Sequence, residues 1–248
     1  MIHWENMKIL VISDIHANIT ALEAVLKDAG DVDAVWCLGD IVGYGPDPNE
    51  CVETIRNLPN LVCLQGNHDQ ATVNIIDTAS FNPEAQAAVY WTQKTLTESA
   101  KTYLKELPSH IQLEGVTLAH GSPRKPIWEY IIDPYTATKN FEYFETDYCF
   151  VGHSHIPLIF TLTENDRIAR VNACTPNGEF AIPKRSIINP GSVGQPRDEN
   201  PQAAYAIFDS ENNTWDNHRV SYKVKEVQER MRKAGLSKMH IRRLELGW

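Results

Sequence analysis

Three times within its first 70 residues the chain carries a short apolar run, rich in β-branched side chains, straight into Asp, Asn or His: "KILVISDIH", "AVWCLGD" and "LVCLQGNHD". Runs of this length, bounded by polar turn signals, read as buried strands. Helical patterns lie between them. In the first, Leu22, Val25, Leu26 and Ala29 share a face and Gly30 supplies the stop. In the second, Asp47 stands at the cap, Pro48 at the first helical position and Glu50 where a capping box needs it. Such alternation predicts βαβ crossovers and a largely parallel sheet for this half.

From Asn82 to about Leu107 the pattern is that of a helix, with Asn82 and Pro83 as start signal and Ala87, Ala88, Trp91 and Leu96 as the buried face. Beyond Pro108 the character changes. "IQLEGVTLAH" reads as a hairpin turning at Glu114 and Gly115, "YCFVGHSH" as a strand into a loop, and "LIFTLTENDRIARV" as a second hairpin. "SIINP" and "AAYAIFD" read as later strands, and Val224, Val227 and Met231 are spaced for a surface helix docked by one face. The expectation is one α/β domain, residues 7–222, of two sheets flanked by helices. A C-terminal helical extension, 223–248, packs on it, and residues 1–6 are set aside as an extension.

With 32 Asp and Glu against 23 Lys and Arg, the net charge of −9 argues against a general nucleic-acid or membrane-surface binder. The five cysteines form no C-x-x-C pair, so reduced core thiols are expected. "MIHWENMK" has no secretory pattern and no apolar run approaches the roughly 18 residues of a membrane span. A cytoplasmic location is the expectation.

The polar residues just past the predicted strands form a set: Asp14 and His16, Asp40, Asn67, His68 and Asp69, then His120, His153 and His155. Helix caps would be served as well by Ser or Thr. These positions instead supply carboxylates, imidazoles and a carboxamide, the oxygen and nitrogen donors that suit divalent transition metals. Seven such donors, Asp14, His16, Asp40, Asn67, His120, His153 and His155, exceed the needs of one tetrahedral ion. They suit two ions that share a carboxylate and leave positions open for water. Arg124 and Arg197, each after a Gly and Pro turn, and Tyr44 are candidates for substrate contact. His3, His110, His218 and His240 join no constellation.

"DIH", "GD", "GNHD", "H" and "GHSH" in this order resemble the signature of the calcineurin-like metallophosphoesterases, and "NPGSVGQPR" resembles a segment of the family's smaller prokaryotic-type members. The resemblance implies two stacked mixed β-sheets with helices outside, a four-layer α/β sandwich. It implies one divalent ion on Asp14, His16 and His155, another on Asn67, His120 and His153, and Asp40 between them. It also implies that His68 faces the leaving group and that Asp69 orients its ring. Mn, Fe, Zn, Co and Ni all suit such ligands. Two divalent ions less two carboxylates leave about +2, an anion trap in an acidic protein.

The expected activity is therefore hydrolysis of a small phosphodiester or phosphomonoester by a metal-bridging hydroxide. The rivals are a serine/threonine-type protein phosphatase and a non-catalytic scaffold of the same fold. A scaffold of that kind is expected to have lost ligands, and here all are present.

Overall fold

The computed structural model describes residue 4, residues 6–173 and residues 178–248. Its first half follows the strand and helix alternation: β1 (Lys8–Ile12), α1 (Ile19–Ala29), β2 (Ala34–Cys37), α2 (Pro48–Arg56), β3 (Leu61–Cys63) and α3 (Asn67–Thr72). Two helices follow, α4 (Pro83–Thr95) and α5 (Glu98–Glu106). The second half adds β4 (His110–Leu113), β5 (Val116–Ala119), α6 (Pro134–Asn140), β6 (Tyr148–Phe150), β7 (Leu158–Thr161), β8 (Arg170–Ala173), β9 (Glu179–Ala181) and β10 (Ser186–Asn189). The chain then runs through β11 (Ala203–Asp209), β12 (Thr214–Val220), α7 (Val224–Lys233) and α8 (Lys238–Leu246).

Two mixed six-stranded sheets result, ordered β3-β2-β1-β11-β12-β9 and β4-β5-β6-β10-β7-β8. The parallel pairs are β1 with β2, β2 with β3, β5 with β6 and β6 with β10. Period-two alternation explains the stacking. Ile9 and Val11 turn into the layer between the sheets with Trp36, Phe150, Phe208 and Trp215, whereas Leu10 and Ile12 face α1, α2 and α5 on the other side. The outer face of the second sheet is covered by α6 and its flanking loop through Ile131, Ala137 and Phe141. Sheets buried on both faces give the near-continuous apolar runs seen in the sequence.

Several local expectations are corrected. Asp47 does cap α2, but its side chain makes no capping bond; both oxygens go to Arg230 of α7, at 2.9 and 2.8 Å. The single helix over 82–107 is two, because Leu96 is extended and Thr97 caps α5 by accepting from the Ala100 amide. Ala87 is exposed; Ala85, Ala88, Val89 and Thr92 form the buried face. The tail is also two helices, turning at Gly235 with φ +73°. Trp4, set aside with the extension, packs edge-on against Trp36 at 5.6 Å. Cys37, Cys51, Cys63 and Cys149 are buried free thiols, as expected, while Cys174 and His3 lie outside the described residues. Among the described residues no helix is long and apolar enough to cross a membrane.

Candidate metal centre

The strands bring their carboxyl ends to one edge of the sandwich. Asp14 and His16 follow β1, Asp40 follows β2, Asn67 follows β3, His120 follows β5, and His153 and His155 follow β6. Turning the chain back so sharply takes an unusual backbone. Asp14, His16, Asp40, His153 and His155 all have positive φ, between 47° and 64°, and so does Tyr44 at 58°. Left-handed non-glycine residues cost about 1–3 kcal/mol each and gather at functional sites. Asp and His tolerate the conformation better than most.

The donor atoms converge as a result. The Nε2 atoms of His16 and His155 are 3.1 Å apart, and Asp14 Oδ1 lies 3.3 Å from His155 Nε2. Asp40 Oδ2 lies 3.7 Å from His16 Nε2 and 3.4 Å from His120 Nε2, which is 3.3 Å from Asn67 Oδ1. Among the described residues three groups of potential ligand atoms each fit within 4.8 Å: Asp14, His16 and His155; Asp40, His120 and His153; and His16, Asp40 and His68. Asp40 belongs to two of them. His68, read from sequence as a substrate-facing residue alone, also stands within that spacing.

The second atoms of these side chains are tied down. The Nδ1 atoms of His16, His120 and His155 lie 3.2, 2.8 and 2.5 Å from the carbonyls of Val42, Leu38 and Gln195. That contact fixes a tautomer with an N–H at Nδ1 and a lone pair at Nε2, as a metal-ligating imidazole requires. Asp14 Oδ2 accepts from the His153 amide at 3.0 Å and Asp40 Oδ1 from the His68 amide at 2.9 Å. Close approach demands glycine here: a Cβ on Gly66 would collide with Asp40 Oδ1, and one on Gly43 would lie 2.6 Å from the His68 ring.

Asp14 Oδ1, Asp40 Oδ2 and His153 Nε2 are buried without any hydrogen bond. Leaving such a group unsatisfied costs about 1–3 kcal/mol. A divalent cation is the partner that two carboxylate oxygens and an imidazole nitrogen share, so the donor set fits metal. The electrostatics agree. Burial alone would raise the carboxyls of Asp14 and Asp40, yet the imidazoles around them hold both far below the usual range. Burial keeps the His153 and His68 rings neutral, with pKa values lowered to about 3 and about 4. At His120 burial alone would lower the ring, but the charge and hydrogen bond of Asp40, the charge of Asp14 and the Leu38 carbonyl together raise it to about 9.

Asp69 is not where the sequence resemblance puts it. Its carboxylate accepts from the amides of Gly66, Ile41 and Val42 at 3.0, 3.3 and 3.0 Å, and it makes no bond to the His68 ring. The two are neighbours at the start of α3, where consecutive side chains point apart. Burial and the charge of Asp40 push Asp69 up to about 7.

A cavity of about 180 Å³ opens over this cluster, walled by Tyr44, Phe81, Trp128, Tyr130 and Arg197 beside His68. Tyr130 stacks on His153 with ring centres 4.0 Å apart. Tyr44 packs against His16, His68 and His240 at 4.7, 4.3 and 4.3 Å, and burial pushes its phenol up to about 12. Arg124 is placed elsewhere: its guanidinium pairs with Glu129, itself bonded to Ser122 and Asn140, and it does not line the cavity. The sequence reading missed Phe81, Trp128, Tyr130 and His240.

Two mixed sheets whose strand ends gather Asp, His and Asn donors define the class: a metal-binding α/β sandwich. The family model described as the calcineurin-like phosphoesterase superfamily domain matches residues 7–213, and the chain belongs to that superfamily. It is 40% identical to an uncharacterized protein of Methanocaldococcus jannaschii, MJ0912, over 248 aligned residues covering 96% of this chain and 98% of that one. A crystal structure of a metallophosphoesterase from Sphaerobacter thermophilus superposes with a TM-score of 0.88 at 46% identity, covering 98% of this chain and 99% of that one. Hypothetical protein PH1004 from Pyrococcus horikoshii shares the fold, with a TM-score of 0.80 at 22% identity over 97% of this chain and 98% of that one.

Proposed function

We propose that this protein is a dinuclear metal-dependent phosphoesterase acting on a small phosphomonoester or phosphodiester. Asp14, His16 and His155 would hold one ion, Asn67, His120 and His153 the other, and Asp40 would serve both. The observation that carries this reading is the trio of buried, unpartnered atoms on Asp14, Asp40 and His153 within the converging ligand set. When bound, divalent ions would supply an acidified water as nucleophile and positive charge to neutralise the phosphoryl oxygens. Mn, Fe, Zn, Co and Ni all suit these ligands.

The chain's own residues do the rest. Carbonyls hold the imidazole tautomers, and the His153 and His68 amides hold the two carboxylates. His68 presents its ring to the cavity, where its N–H hydrogen-bonds the leaving oxygen. Asp69 fixes the backbone between Asp40 and Val42 relative to α3, so it positions the site through the main chain. Arg197 faces the substrate from the cavity wall.

A cavity of about 180 Å³ with aromatic walls favours a compact ester over a protein or nucleic-acid chain. The four buried free thiols suit a reducing, cytoplasmic compartment. A test strips the protein of metal, restores each ion in turn, and assays 4-nitrophenyl phosphate, bis(4-nitrophenyl) phosphate, alkyl esters and a phosphoserine peptide. Turnover of the small esters returns with two ions per chain, and Asp40→Asn lowers metal content and turnover together. Full activity of Asp40→Asn with two ions, or no hydrolysis with any metal, overturns the reading.

A further inference from the structure

Two arginines near the cavity lack the partners that arginines half-buried in protein normally find. Arg197, in the loop after β10, lines the cavity with its guanidinium carbon 6.0 Å from the centre of the Tyr44 ring. Among the described residues its side chain bonds only neutral groups, Gln195 Oε1 at 3.1 Å and the Tyr44 hydroxyl, and its Nε is buried with no partner. Arg243 lies on α8, three residues after His240, whose ring packs 4.3 Å from Tyr44. Residues three apart on a helix share a face, so Arg243 is carried toward the same wall. Its Nε is also buried without a partner. Neither arginine forms an ion pair among the described residues.

Burial and the charge of Arg197 both pull Arg243 below its ordinary value, while Tyr44, Glu84 and Tyr130 act in the opposite sense. Like charges held close without a bridging carboxylate destabilise each other, and an anion between them relieves both. The match to the superfamily domain ends at residue 213, so α8 supplies Arg243 from outside the matched segment.

We propose that Arg197 and Arg243 form a second anion subsite beside the metal centre, so that the preferred substrate is a phosphoester bearing a second phosphate or a carboxylate. This rests on the phosphoesterase reading for the scissile group and adds a requirement at its far end. It also gives the C-terminal helices a role in specificity.

The test measures binding to the metal-loaded full chain by calorimetry, with propylphosphonate, 1,3-propylenediphosphonate and 4-phosphonobutyrate as probes. One charge-assisted contact supports about a tenfold gain. The wild type binds at least one doubly anionic probe about tenfold more tightly than propylphosphonate, and which one gains more tells a phosphate from a carboxylate. Arg243→Gln brings that ratio to about 1, and Arg243→Lys, which keeps the charge, recovers part of it. Equal affinities in the wild type, or a ratio that survives Arg243→Gln, overturns the proposal. Hydrolysis of propyl phosphate is followed separately: its absence counts against the phosphoesterase reading and leaves the binding ratio to decide the subsite.

Discussion

At the start of α3 the helix itself dictates what adjacent side chains do. Asn67, His68 and Asp69 are its first three residues. Their side chains diverge: Asn67 turns to His120, His68 lines the cavity, and Asp69 folds back onto the Gly66 amide. His68 is held neutral by burial, and its Nδ1 is buried without a partner. A neutral imidazole still offers one N–H to a leaving oxygen. An alkoxide needs that hydrogen bond far more than a nitrophenolate does. His68→Ala should therefore keep its metal and lose roughly 10²- to 10⁴-fold in rate on an alkyl ester, with a clearly smaller loss on a nitrophenyl ester. Equal losses would assign the ring to charge stabilisation, and loss of metal would make it a ligand. The seven donors were legible because each follows an apolar run within a few residues. The carbonyls of Leu38, Val42 and Gln195 were not, since a backbone acceptor carries no side-chain signature, and neither was Asp69's true partner, which depends on where α3 begins.

Strands β1 to β3 and helices α1 and α2 were readable from periodicity, whereas the joints between elements were less so. The stop between α4 and α5 is made by Thr97, one polar residue in a continuous helical pattern. The edge strand β9 is three residues long, and β12, "TWDNHRV", mixes polar and charged residues on both sides of the pleat. Most telling is Asp47. Its place before Pro48 suggested a local cap, yet its carboxylate is the anchor for α7 through Arg230, which also bonds Thr20 of α1 at 2.8 Å. A sequence window cannot show a partner 183 residues away. This tie joins the C-terminal helices to the elements that follow β1 and β2, while Val227, Met231, Ile241 and Leu244 pack them down. Arg230→Ala leaves the Asp47 carboxylate without its partner and should destabilise the fold by about 1–3 kcal/mol, read as a lower urea midpoint. A midpoint equal to the wild type would show that apolar packing alone seats these helices.

Across the whole molecule, buried histidines link stability to pH. The rings of His153, His68 and His240 are kept neutral mainly by burial, with pKa values of about 3, about 4 and about 4, whereas in the unfolded chain each takes up a proton near the ordinary value of 6.5. Between about pH 6.5 and 4 the unfolded state thus binds more protons, and stability falls as pH falls. The depressed carboxyls of Asp14 and Asp40 act in the same direction at lower pH: their contribution is present above the unfolded carboxylate value and is lost as pH drops beneath it. Asp69 and His120 oppose them: the Asp69 carboxyl, raised to about 7, is protonated in the fold before it is in the unfolded chain, so its contribution grows as pH falls from about 7. The raised pKa of His120 gives a contribution that is complete below 6.5 and disappears as pH rises through about 9. The chelator-treated protein should accordingly have a lower urea midpoint at pH 5 than at pH 7.5. His240→Gln, away from the ligand set, should shrink that difference by removing one of the neutral rings. Adding metal should raise the midpoint more at pH 7.5 than at pH 5, because protons compete with the ion for the same imidazoles. A midpoint that is flat or higher at pH 5 would mean that these rings take up protons inside the fold.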